Sequence, residues 1–288
     1  MSGERVRLTP GRLVGGVLLM ALITGLLGCS GGPDPQSSAA DPDAWVLEWN
    51  DEFDYRGAPD SEVWNVERHG PGAYNQELQA YTDRPENVRV EDGHLVIEAH
   101  PIPNTRLGYT SARINTRNRR NIFERRIEVR AMLPEGRGTW PAIWFLPVET
   151  TDRVGWPHSG EIDLMEHVGF DPGIVHGSVH TSLYNWPNGN HHTATVRVPT
   201  ASSEFHVYAL EWTTERLDFF VDEVLFTTFH NEGIGWEAWP FDVPFYLILN
   251  LAVGGEWGGA QGVDRAAYPT QFLVDWVRVF RHRDAESQ

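Results

Sequence analysis

The stretch GEIDLMEHVG, residues 160–169, places Glu161, Asp163 and Glu166 within six positions of one another among apolar residues. Side chains of a β-strand alternate between its two faces, so Glu161 and Asp163 share a face while Glu166 is out of phase with them. Either Glu166 points into the core, or one extra residue is inserted near Leu164 and Met165. Such a β-bulge re-aims a side chain, and here it would bring three carboxylates onto one surface.

An ordinary solvated strand face is the simpler interpretation of these acids, but their neighbours favour a functional site. No lysine or arginine stands beside them to form ion pairs, and crowded carboxylates without cations raise one another's pKa. One of them can then remain protonated near neutral pH and act as a general acid. The aromatic and imidazole residues that flank the stretch are Trp140, Trp144, Trp156, His167, His176 and His180.

The first 43 residues are typical of export rather than of a folded domain. Three arginines precede an apolar run at residues 13–27, which is short for a membrane-spanning helix and predicts a signal peptide over residues 1–28. Residues 26–29, LLGC, resemble the bacterial lipoprotein box, so we expect lipidation of Cys29 and a Pro/Ser/Gly-rich tether over residues 29–43. The expected location is a bacterial membrane, at the cell surface or the periplasmic face; simple secretion is the alternative.

The charge and the cysteine count narrow the classes of partner. Residues 1–28 carry three arginines and one glutamate, so their removal takes the formal net charge from −17 to −19. Nucleic acid is excluded as a partner because phosphate binding needs positive charge. Cys29 is the single cysteine, so no intramolecular disulfide can form and the domain must be stabilised by its core, by bound ions, or by both.

From residue 44 to residue 284 the pattern predicts one all-β domain. Asp92-Gly93 and Asp222-Glu223 each separate two short apolar-rich runs, which is typical of β-hairpins. Residues 126–132 alternate as a half-buried strand does, and residues 245–253 are so apolar that we expect a strand buried on both faces. Helical periodicity is absent. Many short strands in about 245 residues indicate a β-sandwich or jelly roll.

The last predicted strand, residues 271–281, contains an anomaly. Strict alternation puts Asp275 on one face with Leu273, Val277 and Val279, which should point inward. A buried carboxylate needs a cation or several hydrogen bonds. A calcium ion and a hydrogen-bonded structural aspartate are both consistent with this strand alone.

The chain resembles family 16 of the glycoside hydrolases, in particular its bacterial laminarinase-like branch, from about residue 45 to residue 281. The family signature E-[ILV]-D-x-x-E on a bulged strand is met by Glu161 to Glu166. The resemblance implies a concanavalin A-like jelly roll whose concave face forms the substrate cleft. Further similar stretches are WNDEF at 49–53, NQELQAYT at 75–82, YTSARI at 109–114, GTWPAIWFLP at 138–147, FHVYALEW at 205–212, PFYLILNLAVGG at 244–255 and VDWVRVF at 274–280.

For mechanism, the resemblance implies retaining hydrolysis without a catalytic cofactor. Glu161 is then the nucleophile, Glu166 the general acid and afterwards the base, and Asp163 assists the nucleophile. Retention needs two carboxyl groups about 5–5.5 Å apart. The histidines show no zinc-ligand spacing such as H-E-x-x-H, so metal catalysis is not expected.

For binding, the resemblance implies sugar contacts on both sides of the acids. Trp140, Trp144 and Trp257 are candidates for stacking on sugar rings, although a jelly roll also buries tryptophans in its core. The polar candidates are Asn75, Gln76, Glu77, Arg113, His180 and, less favoured, His176. For a structural Ca²⁺ the resemblance points to Glu52, the Gly93 carbonyl and Asp275.

The sequence therefore predicts a monomeric, endo-acting hydrolase of β-1,3-glucans. Another family 16 substrate, such as mixed-linkage β-glucan or a galactan, is the first alternative. The second is a surface protein that binds β-glucan without cleaving it, although such proteins typically lose the catalytic glutamates, and Glu161 and Glu166 are both present here.

Overall fold

The computed structural model describes residues 44–106, 108–149 and 155–284. The predicted signal peptide, tether and lipidated Cys29 lie outside the described residues. Seventeen strands and two short 3₁₀ helices, Trp186–Asn188 and Arg265–Ala267, are present in the described part. The strands are β1 (Trp45–Asp51), β2 (Asn65–Val66), β3 (Gln79–Tyr81), β4 (Val88–Glu91), β5 (His94–Pro101), β6 (Tyr109–Ser111), β7 (Arg113–Asn115), β8 (Arg125–Met132), β9 (Thr139–Pro147), β10 (Glu161–His167), β11 (Ile174–His180), β12 (His192–Arg197), β13 (His206–Trp212), β14 (Arg216–Val221), β15 (Val224–His230), β16 (Phe245–Val253) and β17 (Thr270–His282).

Two sheets form the sandwich, as the sequence predicts. The larger sheet runs β15-β14-β13-β8-β17-β5-β6-β3, with β1 added beside β17 and β4 beside β5. The smaller, seven-stranded sheet runs β12-β11-β10-β9-β16-β7-β2. Apart from the parallel pair β3–β6, the pairings are antiparallel. One hydrophobic cluster between the sheets contains residues from both and holds them together. The fold is an all-β jelly roll.

Strand β16 lies at the centre of the smaller sheet, and all nine of its residues are buried, as expected. Its odd-numbered residues, such as Leu247 and Leu249, join the core between the sheets. Its even-numbered residues face the other way, and among them Tyr246, Asn250 and Ala252 line a cleft. Alternation along this strand therefore separates the core from a second, functional surface.

Both predicted hairpins are present and depend on left-handed backbone at the turn. Asp92 and Gly93 have φ of 53° and 80°, and Asp222 and Glu223 have φ of 49° and 64°. Two consecutive positive φ values match the right-handed twist of the paired strands, which is why Asp-Gly marks the first turn so clearly. The hairpins are β4–β5 and β14–β15.

The predicted inward orientation of Asp275 is wrong. The register of β17 against β8 shifts between Val274 and Trp276, so a bulge at Asp275 reverses the alternation. Val274 is buried before the bulge and Val277 after it, whereas the Asp275 side chain retains 25% of its exposure and pairs with Arg130. The carboxylate is thus neither buried nor unpaired.

Candidate active site

The three acids of β10 meet in one cleft because the strand is bulged where the sequence predicts it. The pairing of β10 with β11 shifts between Asp163 and Glu166, and its pairing with β9 shifts between Asp163 and Met165. Leu164 and Met165 are consequently both fully buried, and Glu166 returns to the face of Glu161 and Asp163. The extra residue is absorbed by the core, and the carboxylates share one surface.

The cleft has a volume of about 1100 Å³ and lies over the smaller sheet. Its walls come from β7, β9, β10 and β16, from the loops that flank these strands, and from residues 67–81, which follow β2 and end in β3. Five of the predicted sugar-binding residues line it: Asn75, Glu77, Arg113, Trp140 and Trp144. Pockets of this size that combine aromatic faces with a few polar groups are typical of ligand sites.

Glu166 is placed to hold a proton near neutral pH. Burial is the main cause that raises its pKa to about 8, and the negative field of Asp163 adds to it. The indole Nε1–H of Trp140 donates to Glu166 Oε1 at 3.0 Å and acts in the opposite direction, because it favours the carboxylate. A buried carboxyl with this pKa is suited to general acid catalysis.

Glu161 and Asp163 form a coupled pair beside it. Burial raises the pKa of both, that of Asp163 to about 8, and each carboxyl is further affected by its neighbour. The negative field of Asp163 adds to the effect of burial and raises the pKa of Glu161 further. They therefore titrate together and share a proton near neutral pH, which leaves one carboxylate and at least one carboxylic acid in the cleft. Hydrolysis by two carboxyl groups needs this combination.

His180 lies behind this pair and is oriented by the backbone. Its Nε2 is 3.4 Å from Asp163 Oδ2 and 3.9 Å from Glu161 Oε1. Its Nδ1 accepts a hydrogen bond from the backbone N–H of Trp186 at 3.3 Å. Since Nδ1 accepts, the ring proton of the neutral imidazole is on Nε2, facing the acids.

That tautomer also decides how the cluster of Glu161, Asp163 and His180 is interpreted. One potential ligand atom from each residue lies within 4.8 Å of the others, which resembles a metal site. A histidine that ligates through Nε2 must carry its proton on Nδ1 and donate it to a neighbour. Here the neighbour of Nδ1 is itself a donor, the Trp186 N–H. His180 therefore turns an N–H, and not a lone pair, toward the carboxylates, which does not suit a metal ligand.

A chain of hydrogen bonds fixes the far wall of the cleft. Trp144 Nε1 donates to Asn250 Oδ1 at 2.7 Å, and Asn250 Nδ2 donates to the Tyr81 hydroxyl at 3.1 Å. That hydroxyl donates to Glu77 Oε2 at 3.1 Å, and Gln79 donates to the same oxygen at 2.6 Å. The wall is thus held in one geometry by polar groups from four separate strands and loops.

Arg113 is held between two aromatic rings. Its guanidinium carbon lies 4.7 Å from the ring centroid of Tyr74 and 4.7 Å from that of Trp144. Arg113 Nε is also 3.1 Å from Glu67 Oε2. Stacking on two faces restricts the side chain and leaves its donors in a defined plane at the edge of the cleft.

Four of the predicted sugar contacts lie outside the residues that line the cleft: Gln76, His176, His180 and Trp257. Trp257 packs edge-on against Trp140, with ring centroids 5.5 Å apart, and against His176 at 4.8 Å. His176, in turn, pairs with Glu166 across β10 and β11. Gln76 bonds Glu256 at 2.6 Å. In the structure, Trp257 supports the Trp140 ring that bonds Glu166.

Sequence reasoning missed several residues of the cleft. Asn250 was detectable in principle, since it is the one polar residue in the apolar run of β16. Other residues of the cleft, among them Glu67, Tyr74, Asn115 and Tyr246, carry no local signal that separates them from core or surface residues. They line the cleft only because distant segments meet there.

The two carboxylates among the predicted calcium ligands, Glu52 and Asp275, already form ion pairs with arginine side chains. Glu52 accepts from Arg278 Nε at 2.8 Å and Nη2 at 2.9 Å, and this pairing is the main cause that lowers the pKa of Glu52. Asp275 pairs with Arg130. Two carboxylates and a carbonyl are the oxygen donors that Ca²⁺ prefers. Their negative charge is already compensated by arginine, so these residues fit the ion only if the arginines release them.

Comparison with known proteins gives consistent results. The profile of glycosyl hydrolases family 16 matches residues 75–278. A β-glucanase of Rhodothermus marinus is 52% identical over 267 residues, which cover 90% of this chain and 93% of that protein. The crystal structure of the laminarinase from Rhodothermus marinus superposes with a TM-score of 0.80 at 52% identity, covering 83% of this chain and 98% of the other. SCLam, a non-specific endo-β-1,3(4)-glucanase, superposes with a TM-score of 0.78 at 42% identity, covering 84% and 93%. The chain belongs to glycoside hydrolase family 16.

Proposed function

We propose that this enzyme is an endo-acting β-1,3-glucanase that cleaves laminarin-like β-glucans with retention of configuration through a covalent glycosyl-enzyme intermediate. The observation that carries the proposal is the bulge of β10, which brings Glu161, Asp163 and Glu166 together in an open cleft. The high identity to a laminarinase over most of both chains supports the choice of substrate.

In the first step the Glu161 carboxylate attacks the anomeric carbon while the Glu166 carboxyl protonates the departing oxygen. The proton shared with Asp163 then resides on Asp163, which leaves Glu161 ionised. The Nε2–H of His180 faces both side chains and stabilises that negative charge. In the second step Glu166, now a carboxylate, removes a proton from the attacking water, and the bond to Glu161 breaks.

The charge of the cleft favours a neutral polysaccharide. Two arginines line it, and both are engaged: Arg113 with Glu67 and two aromatic rings, Arg117 with the Val148 carbonyl at 3.1 Å and the Tyr246 ring. A sulfated galactan would need cations that are available to its sulfate groups. A neutral glucan needs only stacking and hydroxyl contacts, which the cleft offers.

The test is hydrolysis of laminarin followed by NMR of the first products. We expect the β-anomer to appear first; an initial α-anomer would refute the retaining mechanism. Parallel rates on laminarin, mixed-linkage β-glucan and agarose decide the substrate. The similarity to SCLam makes mixed-linkage glucan the second candidate.

A non-catalytic glucan-binding protein is the remaining alternative, and Glu161→Gln separates it from the enzyme. If the protein is a β-glucanase, the variant keeps glucan binding and loses turnover. A wild-type protein that binds β-glucan and cleaves none would support the binding protein instead.

Export and lipid anchoring through Cys29 are part of the proposal. They are supported by the apolar run and the LLGC motif of the sequence. Within the described residues, no helix is long and apolar enough to cross a bilayer. Intact-mass analysis of membrane-extracted protein should find a lipidated cysteine at the N-terminus, and Cys29→Ser should release the enzyme from the membrane fraction. An unmodified Cys29 in the mature protein would favour simple secretion.

We further propose that the enzyme is a monomer, and that Ca²⁺ binds the Glu52, Gly93 and Asp275 oxygens by displacing the two arginines. Light scattering after gel filtration measures the molar mass, which should be that of one chain. For the second, the melting temperature should rise on adding Ca²⁺ and fall with a chelator, and Asp275→Asn should abolish the difference. An unchanged melting temperature would remove calcium from the proposal.

A further inference from the structure

The cleft occupies only one side of the catalytic strand. Of the described residues that line it, none belongs to β11 or β12, the two strands beyond β10 in the smaller sheet. An enzyme that cuts within a chain must hold sugar residues on both sides of the bond that it cleaves. The surface over β11 and β12 is therefore where the rest of the chain would lie.

A row of aromatic rings extends over this surface from the acids outward. Trp156 lines the cleft, and its ring centroid is 5.6 Å from that of His180. His180 stacks on His191 at 5.1 Å with an interplanar angle of 9°, and His191 meets the Trp186 ring at 5.7 Å. Each step is comparable to the width of one sugar ring, so the row continues the cleft past the catalytic strand.

Trp186 ends the row and is unusually exposed. Its relative exposure is 64%, against 45% for Trp156 and 38% for Trp236. A large apolar side chain that projects from a loop into solvent adds nothing to the hydrophobic core, so core packing does not explain a tryptophan at this position. An indole with a free face is suited to stack on the apolar C–H face of a sugar.

Hydrogen bonds tie down the loop that presents Trp186. Asn185, only 3% exposed, caps the 3₁₀ helix by accepting from the Asn188 N–H at 3.1 Å. Its amide also donates to the carbonyls of Thr181 and Ser182 at 3.1 and 3.2 Å. Trp186 itself donates its backbone N–H to His180. The backbone that carries the indole is therefore held in place before substrate arrives, which lowers the entropic cost of binding.

We propose that Trp186, with His191 beside it, forms a sugar-binding subsite for the part of the β-glucan chain that extends past β10, on the side away from Arg113. The subsite rests on the proposed β-glucanase function and deepens it: chain length beyond the catalytic acids is recognised by stacking on Trp186. Substrates that fill only the cleft on the Arg113 side do not reach it.

The test uses Trp186→Ala in the full chain, with Trp236→Ala as the matched control. Trp236 is also an exposed tryptophan, but it lines a separate cavity of about 320 Å³ that shares no residue with the cleft. End-labelled β-1,3-gluco-oligosaccharides of defined length are the substrates, and mass spectrometry locates the bond that is cut. Affinity is measured separately in a Glu161→Gln background, where turnover does not interfere.

We expect Trp186→Ala to weaken binding of the long oligosaccharides by about threefold to tenfold, the range for one aromatic stacking contact. Cleavage should shift so that fewer sugars lie on the β11 side, while the shortest substrates are bound and cleaved as before. Trp186→Tyr should restore most of the effect, and Trp236→Ala should show none.

Two results would count against the subsite in different ways. If wild-type enzyme cleaves laminarin and Trp186→Ala matches it in affinity and cleavage position, the subsite is wrong and the proposed function stands. If wild-type enzyme cleaves no β-glucan at all, the proposed function fails and the subsite fails with it.

Discussion

Replacing Trp140 by phenylalanine removes the hydrogen bond from indole Nε1 to Glu166 Oε1 and keeps an aromatic ring in the cleft. The bond favours the ionised form of Glu166, so its loss raises the pKa of the carboxyl. The protonated acid then persists to higher pH. The basic limb of the pH–rate profile should move upward.

The size of the shift follows from the difference between two hydrogen bonds. A bond to a charged acceptor contributes about 1.5–3 kcal/mol and one to a neutral acceptor about 0.5–1.5 kcal/mol, so the carboxylate gains about 1 kcal/mol more from the indole. One pKa unit corresponds to about 1.4 kcal/mol, so the pKa of Glu166 should rise by somewhat less than one unit. Starting from about 8, the limb should approach 9.

The assay is kcat/KM on a soluble β-1,3-gluco-oligosaccharide between pH 5 and pH 10, at intervals of about half a unit. Trp144→Phe is the control, because its Nε1 donates to Asn250 rather than to a catalytic acid. It should weaken substrate binding and leave the limb in place. A limb in Trp140→Phe that stays fixed or moves to lower pH would refute the assignment of Glu166 as the acid that Trp140 tunes.

Four further predictions concern the same site and its supports. Asp163, whose pKa is about 8, loses its proton over the basic limb, and its negative charge then raises the pKa of Glu166; Asp163→Asn removes that charge, so the limb should move to lower pH in the same assay. Glu166→Gln should raise the melting temperature at pH 9 relative to wild type but not at pH 4. The pKa of Glu166 is higher in the folded than in the unfolded state, so the wild type loses stability as pH rises from about 4.5 to about 8. Trp186→Pro removes the backbone N–H that fixes the His180 tautomer, at a first helical position where proline is tolerated. It should lower kcat on short substrates and alter the pH profile of kcat. Trp186→Ala keeps the N–H and should change neither. Gly255→Ala should lower the free energy of unfolding in urea by about 1–2 kcal/mol or more, because φ is +77° and the new Cβ would lie 3.0 Å from the Asn75 carbonyl oxygen. The control is Gly262→Ala, at φ +80° with open space around it, which measures the backbone strain alone.

Most of the fold could be predicted from patterns among residues that are close together in the chain. Asp92-Gly93 predicts its hairpin because the turn needs positive φ, and that requirement is met by two adjacent residues. The apolar run of β16 likewise predicts a buried strand from its own composition. Propensity, alternation and turn chemistry are local properties, so a single sequence shows them.

The two bulges mark the limit of that reasoning. At Leu164 and Met165 the bulge could be predicted because a carboxylate, Glu166, would otherwise point into the core. At Asp275 strict alternation would also turn a carboxylate inward, but a bound ion or several hydrogen bonds explained that position equally well, and the bulge was not predicted. Alternation shows that a carboxylate is out of place, but only the pairing with the neighbouring strands shows whether a bulge turns it outward.

The candidate catalytic acids could be named from the sequence, but their protonation depends on tertiary structure. The pKa of Glu166 is set by burial, by Asp163 and by Trp140, which lies on another strand. The tautomer of His180 is set by a backbone N–H six residues further along the chain. Desolvation and hydrogen-bond geometry arise only when separate strands pack together. The sequence by itself determined which groups are candidates for the chemistry, and the packing of the jelly roll decided their protonation and their position in the cleft.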